Sequence, residues 1–264
     1  MHCIKATYPL EWPTANVYPL ADWHIGDPHC AIGDVYSVIK RVQDDPHGLA
    51  VLNGDLLNTA LKNSVSDVYG ETLKPIDQIN ELAGLLKPIQ DKIIGVTTGN
   101  HEARVYRNDG VDIMRLVCRE LGVEDKYHPD GVLIFLRFGT MRSHDHHGIH
   151  TEKARRLFTI YATHGSGGGR KEGAKAIRLA DMAAVVDADA YLHSHSHLPM
   201  IMRESFFRTN AGNSSARRVG KLFVNTGSTL EYGGYGQAQE FKPNSMLTPV
   251  VHLDAATGHL SATL

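Results

Sequence analysis

Ile93-Ile94-Gly95-Val96-Thr97-Thr98-Gly99-Asn100-His101-Glu102 reads as a buried β-strand that runs straight into an amide, an imidazole and a carboxylate. A short apolar run without polar alternation fits a strand covered on both faces. The same arrangement recurs outward in both directions. Residues 17–21 deliver Asp22-Trp23-His24, and residues 49–52 deliver Asn53-Gly54-Asp55. Residues 157–162 end at His164-Gly165, and residues 190–192 end at His193-Ser194-His195-Ser196-His197. Helical periodicity lies between the runs, at Ile32–Asp44 (stopping before Pro46), Pro75–Leu86, 111–121 (closed by Gly122) and 171–186. Val132–Phe138 is a further strand, and residues 58–72 are irregular and polar. From residue 200 the texture is that of hairpins, over 200–209, 221–225 and 249–253, with a turn at Thr257-Gly258. Strands alternating with helices predict an α/β protein, and ligand-bearing strand ends can converge on one rim of a sheet.

The 264 residues suffice for a sizeable core, and with no repeat, low-complexity tract or linker they read as one domain, 1–264. Hydrophobic residues at 42% and charged residues at 21% place the chain with globular proteins rather than disordered ones. No apolar run approaches the ~20 residues needed to span a bilayer, so no membrane role is expected. The first five residues lack the charged head and apolar stretch of a signal peptide. Cys3, Cys30 and Cys118 have no pair spacing and read as reduced thiols, so the expected location is cytoplasmic.

A formal net charge of −2 excludes a generic polyanion binder but leaves room for a local basic face. Residues 201–221 offer one, with Arg203, Arg208, Arg217, Arg218 and Lys221 against Glu204. That stretch is either a guide for a nucleic-acid backbone or ordinary surface charge. Histidine is over-used, at 16 residues, and the excess points to metal chemistry. The loop 144–150, with four of the sixteen, reads as surface histidine. The motifs combine carboxylates, an amide and imidazoles without cysteine, a donor set that suits Mn, Fe or Zn, with Mg a further option. Together they can hold two divalent ions.

With Asp22/His24, Gly54-Asp55, Gly99-Asn100-His101-Glu102, His164 and His195-Ser196-His197 in that order, the chain resembles the calcineurin-like metallophosphoesterase family. The resemblance spans about residues 17–200. It implies an α/β, four-layer αββα sandwich of two mixed β-sheets flanked by helices, with the metal site at the strand C-terminal rim. It also implies two metals about 3.5–4 Å apart. Asp22, His24 and His197 would bind the first; Asn100, His164 and His195 the second; Asp55 would bridge them. A shared water would attack phosphorus in line. His101, next to Asn100 and Asp55 in the catalytic set, would donate a proton to the leaving oxygen. Glu102 reads as a carboxylate that supports the ligands or opens a helix, rather than as a ligand.

Several points stay open at the level of sequence. The extra His193 permits a register of His193/His195 instead of His195/His197. Asn58 stands where protein phosphatases of the family place an Asp that orients the catalytic His. An amide could accept a hydrogen bond from that imidazole but could not stabilise imidazolium. Arg104 either holds a substrate phosphate or belongs to a solvated helix face, which is the expectation for Arg107. Arg170 falls in the glycine-rich stretch 164–171, which reads as an anion cradle or a plain loop. The chain also looks like small stand-alone phosphoesterases of phages and prophages. The leading expectation is a phosphodiesterase or nuclease acting on a phosphate-ester substrate, with nucleic acid as the candidate polymer. The alternatives are a phosphomonoesterase and a metal-binding scaffold without catalysis.

Overall fold

Strands whose two faces are both apolar set the architecture. The computed structural model describes residues 1–9, 11–139, 156–167, 169, 171–243 and 245–264. The first elements are β1 (His2–Tyr8), β2 (Thr14–Leu20), α1 (Ile32–Asp44), β3 (Gly48–Asn53), α2 (Pro75–Leu86) and β4 (Ile93–Thr97). They are followed by α3 (Asn100–Asp109), α4 (Ile113–Glu120), β5 (Val132–Phe138), β6 (Arg156–Ala162), α5 (Glu172–Val185) and β7 (Ala190–His193). The remainder is β8 (Met200–Asn210), β9 (Ser215–Asn225), α6 (Gly234–Ala238), β10 (Val250–Asp254) and β11 (Leu260–Thr263).

Five strands form one sheet in the order β11-β10-β2-β3-β4, with β2, β3 and β4 parallel. Six form the other in the order β1-β5-β6-β7-β9-β8, with β6, β7 and β9 parallel and β5 and β8 antiparallel to their neighbours β6 and β9. Side chains alternate across each sheet and so sort themselves into layers. Ala15, Val17, Leu49, Val51 and Leu253 of the first sheet meet Ile134, Leu136, Ile160, Leu192 and Val224 of the second in a buried core between the sheets. On the first sheet's other face, Tyr18, Leu20, Ala50 and Leu52 pack on Val35, Ile39, Leu82, Leu86 and Val117 from α1, α2 and α4. On the second sheet's other face, Leu133, Tyr191 and Phe223 pack on Leu179 and Met182 of α5. The result is helices, sheet, sheet, helix: four layers.

The structure adds elements the sequence did not signal, β11 and α6 among them, and moves several boundaries; four of the differences have a plain physical reason. His2–Tyr8 is a strand, paired in parallel with β5, although its alternating polar residues give a weak apolar signal. Residues 100–109 form their own helix, ended by Gly110 at φ 72°. The following helix starts at Ile113 rather than 111 because Asp112 caps it, accepting from Arg115 N at 3.0 Å. Strand β9 starts at Ser215 rather than 221, since the polar residues 215–220 extend the β8–β9 ladder beyond the core. Among the described residues no helix is long and apolar enough to cross a membrane. The three cysteines are free.

Candidate metal centre

Asp22 and His24 follow β2, Asp55 follows β3, and Asn100 follows β4, all at C-terminal strand ends of the first sheet. His164 follows β6, and His195 and His197 follow β7, in the second. The two rims are tied together through Asn53. Its Nδ2 donates to Thr163 O and Ser194 Oγ, its Oδ1 accepts from Thr97 Oγ1, and its carbonyl meets His164 Nδ1 at 2.8 Å. In the sequence this asparagine carries no signal beyond its place before Gly54-Asp55.

Among the described residues, eight other than glycine have positive φ, and five of them are Asp22, His24, Asp55, His195 and His197. Such backbone costs about 1–3 kcal/mol per residue and persists where the surroundings over-determine it. Here the surroundings do so. Asp22 N donates to Gly54 O, His24 N to Asp55 O, and His101 N to Asp55 Oδ1 at 2.8 Å. Glu102 opens α3 and accepts Asp55 N and Gly99 N at Oε2 and Leu57 N at Oε1. Gly54 and Gly99 are required by proximity. A β-carbon on Gly54 would lie 2.5 Å from Gly99 N, and one on Gly99 would lie 2.1 Å from Asp55 Oδ1.

The donor atoms converge. Asp22, His24 and His197 form one group that could hold a metal ion; His24, Asp55 and His101 form a second; Asp55, His164 and His195 form a third. Asp55 and His24 each belong to two groups, so the three are continuous. Asn100 Oδ1 adds an amide oxygen, 2.7 Å from His195 Nδ1 and 3.3 Å from His164 Nε2. All seven expected ligands are therefore brought together. His193 belongs to none of the groups, and its Nδ1 meets Asn225 Oδ1 at 2.7 Å. Asp22, His24, Asp55 and His164 are buried, His101, His195 and His197 half-buried, and Asn100 exposed, so the cluster opens towards solvent on one side.

Divalent cations fit this donor set. The buried Asp22 Oδ1 has no hydrogen-bond partner, nor has the buried His24 Nδ1. Asp22 Oδ2 is held by Thr226 Oγ1 and His195 N, which leaves Oδ1 as the free oxygen, 3.4 Å from His197 Nε2. Lone-pair atoms this close need a proton or a cation between them. Without metal, a proton serves at His164. Burial opposes its charge, yet Asp55 at 3.2 Å outweighs burial and pushes the pKa up to about 10. Burial likewise opposes ionisation of Asp55, and His164 and His101 reverse it, holding the carboxyl well below its usual range. Burial lowers His24 well below ordinary histidine. Burial, then Asp55, pushes Glu102 up to about 7 against its three N–H donors.

Three sequence expectations are revised by contacts. The Asn58 side chain does not face His101; its Nδ2 donates to Glu71 Oε1 at 2.7 Å and Asp27 Oδ2 at 3.4 Å. The main-chain carbonyl of Asn58 takes the imidazole instead, at 3.0 Å from His101 Nδ1. Arg104 turns back on the protein, with Nε donating to His101 O and Nη2 to Asn58 O. Of the basic flank, Arg208 and Lys221 are paired with Asp187, and Arg203 donates to Leu260 O, so Arg217 and Arg218 are its unpaired cations among the described residues. Arg107 is exposed, with a 3.5 Å contact to Asn100 O. Arg170 and the histidine loop 144–150 lie outside the described residues.

Residues 226–230 carry no strand, helix or ligand signal in the sequence, yet they hold Asp22 in place. Besides Thr226, Ser228 Oγ and Thr229 N donate to Asp22 O, and Thr229 Oγ1 to Trp23 O.

The structure is a two-sheet α/β sandwich whose strand rims carry a cluster of oxygen and nitrogen donors that could hold metal ions. The chain belongs to the calcineurin-like phosphoesterase family, whose model matches residues 23–199, and it is thereby a hydrolase of phosphate esters. Similar solved structures include a predicted phosphoesterase from Streptococcus pneumoniae, 14% identical, with 95% of this chain and 97% of that one covered and a TM-score of 0.38. A metallophosphoesterase from Sphaerobacter thermophilus is 13% identical, with 94% and 87% covered and a TM-score of 0.41. Vps29 from Entamoeba histolytica, complexed with zinc, is 12% identical, with 94% and 97% covered and a TM-score of 0.37. No curated protein sequence gives a significant match.

Proposed function

We propose that this protein hydrolyses phosphodiesters, with a nucleotide or nucleic-acid strand as the substrate class, using two divalent ions of which Mn suits the donors best. Asp22, His24 and His197 would hold one ion and Asn100, His164 and His195 the other, with Asp55 between them. Bound there, the ions would neutralise charge on the phosphoryl oxygens and acidify a water. The observation that carries the reading is the membership of Asp55 in two overlapping donor groups.

The protein's own part follows from its contacts. With Nδ1 committed to Asn58 O, His101 has Nε2 as the nitrogen that exchanges a proton with the leaving oxygen. Burial lowers its pKa, Asp55 counteracts and Arg104 assists, leaving it at about 4. The protonated form would thus give up its proton readily, and an anionic phosphate beside it would favour that form. Preference for a diester is supported by Arg104. A phosphomonoester dianion carries one more charge than a diester, and the arginine beside the cluster is already spent on the His101 and Asn58 carbonyls.

The test is turnover with Mn on bis(p-nitrophenyl) phosphate, p-nitrophenyl phosphate, and single- and double-stranded DNA. Faster diester cleavage is expected, and a monoester-only profile reverses the reading. His101→Gln should lower turnover about 10²–10⁴-fold with metal content unchanged. Full activity in that variant removes His101 from the chemistry.

A further inference from the structure

Beside the metal centre lies a separate cavity of about 120 Å³, lined by Ser166, Gly167, Lys175, Arg178, His193 and Ser196 among others. Its wall is continuous with the ligands. Ser166 is two residues beyond His164, and Ser196 sits between His195 and His197. None of its lining residues is acidic, whereas two are cationic. Lys175 Nζ donates to Ser196 O at 2.7 Å, which leaves two ammonium protons uncommitted. Arg178 has no ion-pair partner among the described residues and lies along Gly167. The nearby Glu172 is engaged with Lys242 at 2.5 Å.

The neutral groups are oriented as well. Asn225 Nδ2 donates to Ser196 Oγ, Leu198 O and Thr226 O, so Asn225 Oδ1 faces His193 and takes the Nδ1 proton. Ser196 Oγ accepts from that amide, and its own hydrogen is free to donate into the cavity. Cationic and hydroxyl donors around a space of roughly four waters match an anionic group rather than an apolar one.

We propose that this cavity is a substrate subsite for a second phosphate, carried on the same sugar as the scissile diester, so that the preferred substrate is a nucleotide diester with a neighbouring phosphate. The proposal rests on the diesterase reading and refines it.

Two chromogenic diesters separate the possibilities: thymidine 5′-(p-nitrophenyl phosphate) and the same compound bearing a 3′-phosphate. Wild-type protein with Mn should show a KM about tenfold lower for the 3′-phosphorylated one. Arg178→Ala, a change at an exposed position on α5, should abolish that difference, leaving kcat on both compounds and KM for the simple diester unchanged. A wild-type protein indifferent to the 3′-phosphate, or an Arg178→Ala loss equal on both compounds, overturns the subsite while leaving diesterase activity intact. If neither diester is cleaved, the diesterase reading fails by itself. The subsite is then read by calorimetric titration of thymidine 3′,5′-bisphosphate against the 5′-monophosphate. Tighter bisphosphate binding that Arg178→Ala removes supports it, and equal binding overturns it.

Discussion

Asp22 is aimed by residues that lie more than two hundred positions away in sequence. Thr226 Oγ1 fixes one carboxylate oxygen at 3.0 Å, and Ser228 and Thr229 hold the peptide, so the other oxygen stays bare and buried. Outer partners of this kind are worth 10–100-fold in metal affinity. Thr226→Val keeps the shape and removes the hydroxyl donor. It should weaken Mn binding by about tenfold in competition with a fluorescent chelator, with an unchanged circular dichroism spectrum. Undiminished affinity would mean that Asp22 needs no such support. That these donor residues converge was legible because each ends an apolar run, a local pattern. Thr226 and Asn53 were not, because their roles are contacts across 204 and 110–141 positions. Asn58 was misread for a related reason. Its position next to His101 is real, but the group that reaches that imidazole is the carbonyl every residue carries, so side-chain identity could not reveal it.

At the scale of elements, the start of α3 does two jobs. It presents Asn100 and His101, and through Glu102 it satisfies three backbone N–H groups drawn from β3's outgoing loop and its own first turn. A glutamine there keeps the volume but turns one acceptor into a donor, leaving at least one buried N–H unmatched at about 1–3 kcal/mol. Glu102→Gln should therefore lower the melting temperature by roughly 2–10 °C and reduce bound metal, since the same N–H groups position Asp55. A variant as stable as wild type, with full metal content, would refute that coupling. Elements with strong apolar periodicity, such as Ile32–Asp44 and Pro75–Leu86, were readable to the residue. The edge strand β1 and the outer half of β9 were not, because half-exposed ladders carry alternating polar residues that resemble loop. The basic flank showed the converse problem: composition counted five cations, but the β8–β9 hairpin and its neighbours neutralise or occupy three of them.

Across the whole molecule, the two sheets contribute different halves of the donor cluster, which would make metal binding there a matter of fold stability. Asp22, His24, Asp55 and Asn100 extend from one sheet; His164, His195 and His197 extend from the other. Ions held between these halves, as proposed, would brace the rims against each other; if they bind the folded chain alone, stabilisation follows mass action, about 2.7 kcal/mol at a hundredfold excess over Kd. For a chain of this size that is a rise of roughly 5–10 °C in melting temperature. The rise should also depend on pH, with a sign set by His164. In the metal-free protein its pKa is raised from 6.5 to about 10. The proton it retains therefore stabilises the apo fold fully below about 6.5, and that contribution is lost as pH climbs through 10. Metal displaces the same proton. Mn should accordingly stabilise the protein more at pH 8.5 than at pH 6, with EDTA reversing the gain and Asp55→Asn abolishing most of it at both values. Calorimetric scans at the two pH values, with and without Mn, measure all four quantities. A Mn effect of equal size at both, or one that survives in Asp55→Asn, would show that the ions act elsewhere than between the sheets.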